Sequence, residues 1–398
     1  MDLIGWVIFI VALLVSVMLH ETGHFVLAKR FGMKVTRYFV GFGPTLWSTR
    51  RGETEYGIKA LPFGGFVKIV GMHSLDDPED PADEPRSFRR QPAWQRIAVL
   101  CAGSFMHFLL AFLLVFGLAL GVGIENDTTT QLGTISTCVP SSLTALANGT
   151  CTASDQPSPA SKAGLRAGDT VTAFDGKPVS NWDELGSAIR DAPPGSPATI
   201  TVRRDGKPYT LHTTLASVSG RSGAFLGIEP AVVFQVPGPL GAISYAGSAF
   251  AQVVDGSVQA VAALPAALPK LFSKDRSSTA AGQVGSVVGA AEATGAAVAA
   301  NWGWQYKVSF VLLLIASLNI FVGLVNMLPL LPMDGGHVAV IVYERIRAAL
   351  ARLRGRPDPG LVDMAKLLPV SFSLFMIIIV VSVMLILADI VNPVNFTG

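Results

Sequence analysis

The chain alternates between long apolar runs and polar stretches. Four runs are long enough, at about 1.5 Å per residue, to cross a hydrocarbon core of about 30 Å. The sequence therefore predicts a polytopic α-helical membrane protein with four transmembrane helices. The first run follows the acidic Asp2 and has no small-residue cleavage site, so we do not interpret it as a cleaved signal peptide. The runs cover residues 3–28, 97–123, 306–331 and 367–391.

Composition and charge support this class and give it an orientation. Hydrophobic residues make up 50% of the 398 residues and charged residues 15%. A net charge of +2 gives no indication of nucleic-acid binding. Basic residues cluster between the first two runs and between the last two, and the positive-inside rule places both of these segments in the cytoplasm. The N-terminus, residues 124–305 and the C-terminus are then extracytoplasmic.

The extracytoplasmic segment predicts an α+β domain followed by helices. Residues 198–215 alternate on a strand period around an Asp205-Gly206 turn, which predicts a hairpin. The stretch from Trp182 to Ile189 is predicted to form a helix. Residues 236–305 are rich in Ala, Gly and Val with interspersed polar residues. We expect them to form amphipathic helices at the outer membrane surface.

The stretch from Ser158 to Leu185 resembles PDZ domains in its A-G-L-x-x-G-D and D-G-x-x-V patterns. The resemblance implies one PDZ domain, over residues 131–230, whose groove binds peptides by strand addition. We identify Leu226, Gly227 and Ile228 as the candidate carboxylate-binding loop of that groove. A module with a structural role alone is the other interpretation.

Two of the three cysteines flank an insertion that the PDZ pattern lacks. They are Cys138 and Cys151, and the predicted topology places both in an oxidising compartment. We therefore expect a disulfide that closes this loop.

The first apolar run is interrupted by H-E-T-G-H, which contains His20, Glu21 and His24. An ionisable residue at membrane depth costs at least about 2.5 kcal/mol on insertion scales, so such residues usually have a function. On a helix, the i and i+4 spacing puts both imidazoles on one face, where they can share a zinc ion, with the glutamate close to the metal-bound water. The motif therefore predicts a zinc site.

A catalytic zinc site has three protein ligands and one open position. The predicted topology brings the end of the third run to the depth of the two histidines. Asp334 is the acidic residue in that stretch, Asn326 to His337. The glutamates at positions 53 and 55 lie in a charged, strand-like stretch outside the membrane. We expect Asp334 to be the third ligand; the alternative is a turn aspartate before two glycines.

These motifs together resemble the site-2 protease family of intramembrane zinc metalloproteases, in its bacterial branch with extracytoplasmic PDZ domains. The resemblance extends from about residue 3 to residue 391. The chain departs from the family at His107, where asparagine is frequent, and we interpret His107 as a packing residue that faces other helices. The motifs are H-E-T-G-H, N-x-x-P-x-x-x-x-D-G from Asn326, Gly41 to Pro44, Pro62 to Lys68, and Arg96 to Gly103.

The resemblance implies a mechanism and a residue for each of its steps. His20, His24 and Asp334 would hold one Zn²⁺, and Glu21 would act as the general base. Asn326 would donate a hydrogen bond to the substrate backbone or to the developing oxyanion. An interhelical hydrogen bond is the alternative for this asparagine.

The resemblance also implies a β-loop on the cytoplasmic side, at about residues 56–72. Gly64, Gly65 and Phe66 would hold the unwound substrate in extended form by strand addition. An ordinary hairpin packed on the helix ends is the alternative. Residues 73–92 are charged and rich in proline, and they predict a solvated linker.

The expected function is hydrolysis of a peptide bond in or near the transmembrane segment of single-span proteins, such as trimmed anti-sigma factors or leftover signal peptides. An upstream site-1 type protease would act first, and membrane lipid would surround the enzyme in the bacterial plasma membrane. The alternative is a membrane-tethered PDZ adaptor with a structural zinc site. That alternative leaves Glu21 without a role and lacks a fourth protein ligand. We expect four parts: an N-terminal membrane half at residues 1–123, a PDZ domain at 131–230, an extracytoplasmic amphipathic region at 236–305 and a C-terminal membrane half at 306–391.

Overall fold

The computed structural model describes residues 3–72, 80–126, 128–142, 150–152, 154–220, 222–272 and 285–392. Its elements in chain order are α1 (Leu3–Arg30), β1 (Val35–Arg51), β2 (Thr54–Ile69), α2 (Ala93–Gly121), β3 (Ile124–Asn126), β4 (Leu132–Ile135), α3 (Pro159–Ala163), β5 (Thr170–Phe174), β6 (Lys177–Pro178), α4 (Trp182–Asp191), β7 (Pro197–Arg204), β8 (Lys207–Thr214), β9 (Ile228–Pro230), β10 (Val233–Gln235), α5 (Pro239–Ala267), α6 (Val287–Ala299), α7 (Trp304–Asn326), α8 (Asp334–Leu353) and α9 (Leu368–Val391).

The chain forms two compact units, Met1–Val122 with Gly238–Gly398, and Gly123–Pro237. In the first unit, α1, α2, α7 and α9 are long and apolar enough to cross a membrane. The sequence prediction of four spans is therefore confirmed, within the described part of the chain, as four candidate membrane-spanning helices.

The third span is shorter than the apolar run that predicted it. The run continues to residue 331, but α7 ends at Asn326. Pro329 and Pro332 follow, and proline has no N–H to donate to a continuing helix. A new helix, α8, begins at Asp334. The chain therefore turns between the two helices, and Asp334 is the first residue of α8 rather than part of the span.

Helix α2 is central to the first unit. Ala111 and Val115 of α2 pack with Ala246 of α5 and with Ala316 and Ile320 of α7 in one buried cluster. Small side chains at these positions let helix backbones come close together in an apolar environment. Residues 239–267 and 287–299 are helical, within the segment where helices were expected; their place at the outer membrane surface stays a prediction.

Strands β1 and β2 fold into a sheet of four paired segments. Residues 37–40 pair with residues 65–68 on one side and with residues 55–58 on the other. Residues 47–51 pair with the outer side of β2, from residue 58 back to residue 54. Among the described residues, one strand segment pairs with residues 65–67 and no other strand does, so this segment is an edge of the sheet.

The sheet packs on α1 through Tyr38. The Tyr38 hydroxyl lies 2.8 Å from Thr22 Oγ1 and donates to the carbonyl of Met18 at 3.2 Å. The Phe25 ring of α1 meets the Tyr38 and Tyr56 rings edge-on. These contacts hold the start of β1 against the helical turn that contains the H-E-T-G-H motif.

The expectation of a solvated linker over residues 73–92 is wrong for its second half. Residues 73–79 lie outside the described part. Phe88 is buried in a cluster that includes Met33 and Ile69. Arg86 donates to both carboxylate oxygens of Glu53, at 2.7 and 2.9 Å. One buried aromatic ring and these charge-assisted bonds hold the segment against the sheet.

The second unit is an α+β fold around one core. Its four-stranded sheet has the order β6-β5-β7-β8, and β4 pairs with β9 while β3 pairs with β10. The expected hairpin is confirmed: β7 and β8 meet at Asp205 and Gly206, which both have positive φ angles. The expected helix is confirmed as α4, and Cys138 and Cys151 are disulfide-bonded as expected.

Asp169, just before β5, forms an ion pair with Arg204 at the end of β7. The Asp169 carboxylate, only 1% exposed, accepts from Arg204 Nε at 2.6 Å, from Arg204 Nη2 at 2.7 Å and from the Arg166 N–H at 2.9 Å. Burial alone would raise the pKa of Asp169, but Arg204 and the Arg166 N–H lower it below the ordinary value. A carboxylate with a lowered pKa in the folded state stabilises the fold at neutral pH.

We expect Asp169→Asn to destabilise this unit by about 2–3 kcal/mol at pH 7, because Arg204 then loses its anionic partner. The wild-type contribution is complete above the unfolded-state pKa and disappears as the pH falls through the folded-state pKa, so the two proteins should converge in acid. Hydrogen exchange of the backbone amides of residues 197–214, followed in the full chain as a function of pH, measures the stability of this unit. The exposed Asp191→Asn variant is the control, and a constant difference between wild type and Asp169→Asn at all pH values would contradict the prediction.

Candidate metal centre

The two histidines of H-E-T-G-H lie one turn apart on the same face of α1. Both side chains are buried. Their rings meet edge-on with centroids 4.7 Å apart, and the two Nε2 atoms are 3.0 Å apart. The helix therefore presents two imidazole nitrogens to one point.

Asp334 supplies the third atom at this point. Its Oδ2 lies 3.4 Å from His20 Nε2 and 3.4 Å from His24 Nε2. The three residues form the group of potential metal ligands within the described part of the chain, with ligand atoms all within 4.8 Å of one another. The structure thus brings together the residues that the sequence predicted as zinc ligands.

The geometry of the three atoms fits zinc. Zinc bonds of about 2.0–2.2 Å to nitrogen and oxygen put tetrahedral ligand atoms about 3.3 Å apart. The observed separations are 3.0, 3.4 and 3.4 Å. Asp334 Oδ2 is buried and accepts no hydrogen bond from the described residues. A buried carboxylate oxygen without a donor is costly unless a cation lies beside it.

His24 is oriented by the backbone of α2. Its Nδ1 donates to the carbonyl of Val99 at 2.7 Å. A neutral imidazole that donates from Nδ1 carries a lone pair on Nε2, which is the form that binds a metal. This hydrogen bond leaves His24 Nε2 free to act as a ligand.

Gly103 of α2 forms the surface on which both rings lie. A Cβ atom at this position would be 2.5 Å from His20 Cε1 and 2.5 Å from His24 Nε2. These separations are far below van der Waals contact. Glycine is therefore required here because the imidazoles occupy the space of a side chain.

The position of Asp334 depends on how α8 docks on α2. Arg96 of α2 and Glu344 of α8 form an ion pair at 3.2 Å, and both side chains are 9% exposed. The second oxygen of Glu344 accepts from the Val362 N–H at 2.9 Å. Ile341 of α8 lies in the same buried cluster as Leu100 of α2. These contacts fix the helix whose first residue is the third ligand.

Glu21 lies between the ligands and the edge of the sheet. It is half-buried, and a Cβ atom at Gly65 would lie 3.3 Å from its Cγ. The edge segment of β2 thus passes directly beside the predicted general base. Of the two glutamates that the sequence analysis set aside as zinc ligands, Glu53 is bound by Arg86 and Lys29, which lower its pKa to about 2.

The remaining predicted residues fall into three places. Asn326 is half-buried at the end of α7, before the turn to Asp334. Gly64 and Phe66 flank Gly65 in β2, and Phe66 pairs with Phe39. Leu226, Gly227 and Ile228 belong to the second unit; Leu226 is buried in its core, and the Gly227 carbonyl accepts from the Ser136 N–H.

Sequence reasoning missed the residues that support the site. Gly103 appeared only as the end of a family motif, and the Arg96–Glu344 pair joins positions far apart in the chain. His107, expected to be a packing residue, is buried and hydrogen-bonds Asn319 at 2.8 Å. Glycine in the interior of an otherwise apolar helix is the one signal that was available for Gly103.

Comparison with known proteins agrees with the geometry. The sequence pattern of peptidase family M50 matches residues 8–357. The chain is 38% identical to the zinc metalloprotease Rip1 of Mycobacterium tuberculosis, over 98% of both chains. It is equally similar to Rip1 of Mycolicibacterium smegmatis, at 38% identity over 98% of both chains. It is 27% identical to the regulator of sigma-E protease RseP of Salmonella typhimurium, over 85% of this chain and 90% of that protein.

The chain belongs to peptidase family M50, the site-2 proteases. It is a zinc metalloprotease and a multi-pass membrane protein. The family resemblance read from the motifs is confirmed, and the enzyme replaces the adaptor interpretation.

We expect Gly103→Ala to reduce zinc affinity by at least tenfold, because the new methyl group displaces the rings of His20 and His24 from the common point. Zinc content of the purified protein after dialysis against a weak chelator measures the effect. Gly117→Ala is the matched control on the same helix, since its Cβ would meet no atom within 4 Å. Equal zinc content in the two variants would contradict the conclusion that the two histidine rings need the space beside Gly103.

Proposed function

We propose that this protein is an intramembrane endoprotease that cuts single-span membrane proteins in or near their transmembrane segment. The observation that carries the proposal is the convergence of His20, His24 and Asp334 beside Glu21. The histidines lie about 15 and 9 Å along the axis of α1 from its end at Arg30. Chemistry at this place would therefore occur below the membrane surface.

In the proposed mechanism, His20, His24 and Asp334 would hold one zinc ion through two imidazole nitrogens and one carboxylate oxygen. When bound there, zinc would supply Lewis-acid chemistry: it would polarise the scissile carbonyl and activate a water molecule as the nucleophile. Glu21, as the general base, would take a proton from the attacking water at its carboxylate and would pass this proton to the leaving amine. Its place beside the open edge of β2 gives it access to a peptide bond held there.

A peptide bond inside a helix is shielded by the hydrogen bonds of the helix, so the substrate must be unwound. No second strand of the described residues pairs with the other side of residues 65–67. A substrate that adds to this edge as a strand would run past Glu21. Gly64, Gly65 and Phe66 would then contact the backbone of the substrate. This role goes beyond that of an ordinary hairpin, although the sheet also packs on α1.

Asn326 is proposed to donate from its side-chain amide to the substrate carbonyl. It hydrogen-bonds no other side chain of the described residues, and it precedes the turn that presents Asp334. An interhelical bond, the alternative role, is instead made by Asn319, which binds Ser16 and His107.

The second unit is proposed to be the PDZ domain, with Leu226, Gly227 and Ile228 in its peptide groove. It would screen substrates outside the membrane, where an upstream protease first trims them. Basic residues at the cytoplasmic ends of the spans favour an orientation with this unit and both termini outside. Trimmed anti-sigma factors and leftover signal peptides are the substrate classes proposed, in the bacterial plasma membrane.

The proposed base predicts that Glu21→Gln abolishes cleavage, by at least 10³-fold, while zinc remains bound. Purified full-length protein in detergent is incubated with a single-span substrate that lacks its extracytoplasmic domain, with and without a chelator. Glu125→Gln, an exposed glutamate in the second unit, is the matched control. Cleavage by Glu21→Gln at the wild-type rate would remove Glu21 from the mechanism.

We expect Asn326→Leu to lower kcat by about 10²–10³ without loss of zinc, which is the usual effect of removing one oxyanion donor. The substitution keeps the volume and removes the amide. Single-turnover kinetics and metal content are measured on the same preparation. Loss of zinc, or an unchanged kcat, would contradict the proposed contact with the substrate.

A further inference from the structure

One nitrogen of the metal centre is left without a partner. Metal-binding histidines almost always donate their second ring N–H to an acceptor. His24 donates to the Val99 carbonyl, but His20 Nδ1 is buried and has no hydrogen-bond partner among the described residues. Because His20 Nε2 faces the other ligands, a metal-bound His20 must carry its proton on Nδ1. The site therefore contains a buried N–H that needs an acceptor.

The His107 ring lies beside the His20 ring. Its ring centroid is 5.0 Å from that of His20, with the planes tilted by 43°. It follows Gly103 by one turn of α2, on the face where the His20 ring rests, and a Cβ at Gly103 would be 2.7 Å from His20 Nδ1. The side chain of His107 is 3% exposed. Its recorded side-chain hydrogen bond is to the neutral amide of Asn319.

Asn319 determines which nitrogen of His107 carries the proton. The Asn319 amide Nδ2 donates to the Ile315 carbonyl at 2.8 Å and to Ser16 Oγ at 3.1 Å. A backbone carbonyl only accepts, so the amide orientation is set and Asn319 Oδ1 faces His107. Oδ1 lies 2.8 Å from His107 Nδ1, which must therefore donate. In a neutral imidazole the other nitrogen, Nε2, then has a free lone pair.

We propose that His107 Nε2 accepts the Nδ1–H of His20, directly or through one water, when the metal is bound. His107 is thus a positioning residue that acts on the metal through His20. The inference rests on the zinc site of the proposed function and extends it. It connects α7, α2 and α1 in one chain of hydrogen bonds, from Asn319 through His107 to His20.

The test compares two replacements of His107 in the full-length protein. His107→Phe fills a similar volume without an acceptor, and His107→Gln supplies an oxygen acceptor. Zinc dissociation constants are measured by competition with a chromophoric chelator. We expect His107→Phe to weaken zinc binding by about 10–100-fold, the usual effect of losing such a partner, and His107→Gln to retain most of the affinity. Phe105→Leu, on the exposed face of α2, is the control and should bind as the wild type does.

A second variant tests the tautomer without touching His107. Asn319→Leu removes the acceptor of His107 Nδ1–H, so the proton can move to Nε2, which then has no lone pair to accept from His20. We expect weaker zinc binding of similar size. The double variant His107→Phe/Asn319→Leu should be no weaker than either single variant, because both act through one hydrogen bond.

The outcomes separate the inference from the proposed function. Wild-type protein that binds no zinc would overturn both. Zinc binding by His107→Phe equal to that of the wild type, or by His107→Gln as weak as by His107→Phe, would overturn the role of His107 alone. The visible spectrum of the cobalt-substituted protein gives a further check. A spectrum unchanged in His107→Phe supports positioning through His20, whereas the loss of a nitrogen ligand would make His107 a direct ligand and contradict the inference.

Discussion

The close approach of α1 and α2 is the constraint on which the metal centre depends. A Cβ atom at Gly23 would lie 2.5 Å from the Ala102 carbonyl oxygen, and one at Gly103 would enter the two imidazole rings. Without side chains at these positions, the backbones pack closely enough for the Val99 carbonyl to reach His24 Nδ1. Helices in lipid gain little from apolar burial against each other, so small residues at the contact decide where they meet. Glycines at the contact of α1 and α2 therefore both allow the helices to pack closely and leave room for the histidine rings.

A second constraint brings the third ligand to this contact. After α7 ends, the chain turns and starts α8 with Asp334, and the two following glycines pack on the turn. A Cβ at Gly335 would lie 2.3 Å from the Met327 carbonyl carbon, and one at Gly336 would lie 2.6 Å from that of Leu330. In the Asp-Gly-Gly sequence, the aspartate thus supplies the third candidate ligand, and the two glycines leave room for the backbone of the turn. The buried Arg96–Glu344 pair is costly to desolvate, but loss of either partner would leave an uncompensated buried charge, so the pair favours the docking of α8 on α2 that makes this contact.

The sequence predicted the parts that depend on local patterns. Apolar length predicted the four candidate spans, the i and i+4 spacing predicted the paired histidines, and the Asp205-Gly206 turn predicted the second-unit hairpin. The sequence-based predictions failed where the structure depends on contacts between residues far apart in the chain. Residues 80–90 look like a linker, but Phe88 is buried and Arg86 binds Glu53. The role proposed for His107 could not be foreseen, because its tautomer depends on a hydrogen bond to Asn319, which lies 212 residues further along the chain.

The central claim is that one zinc ion is held by two imidazoles and one carboxylate, with one position open. Zinc K-edge X-ray absorption on the purified full-length protein tests it most directly. The account predicts one zinc per chain, with two imidazole nitrogens at about 2.0–2.1 Å and two oxygen ligands, from Asp334 and from water. Asp334→Ala should then lower the zinc content sharply. Three imidazoles, a sulfur ligand or a closed site with four protein ligands would contradict the account.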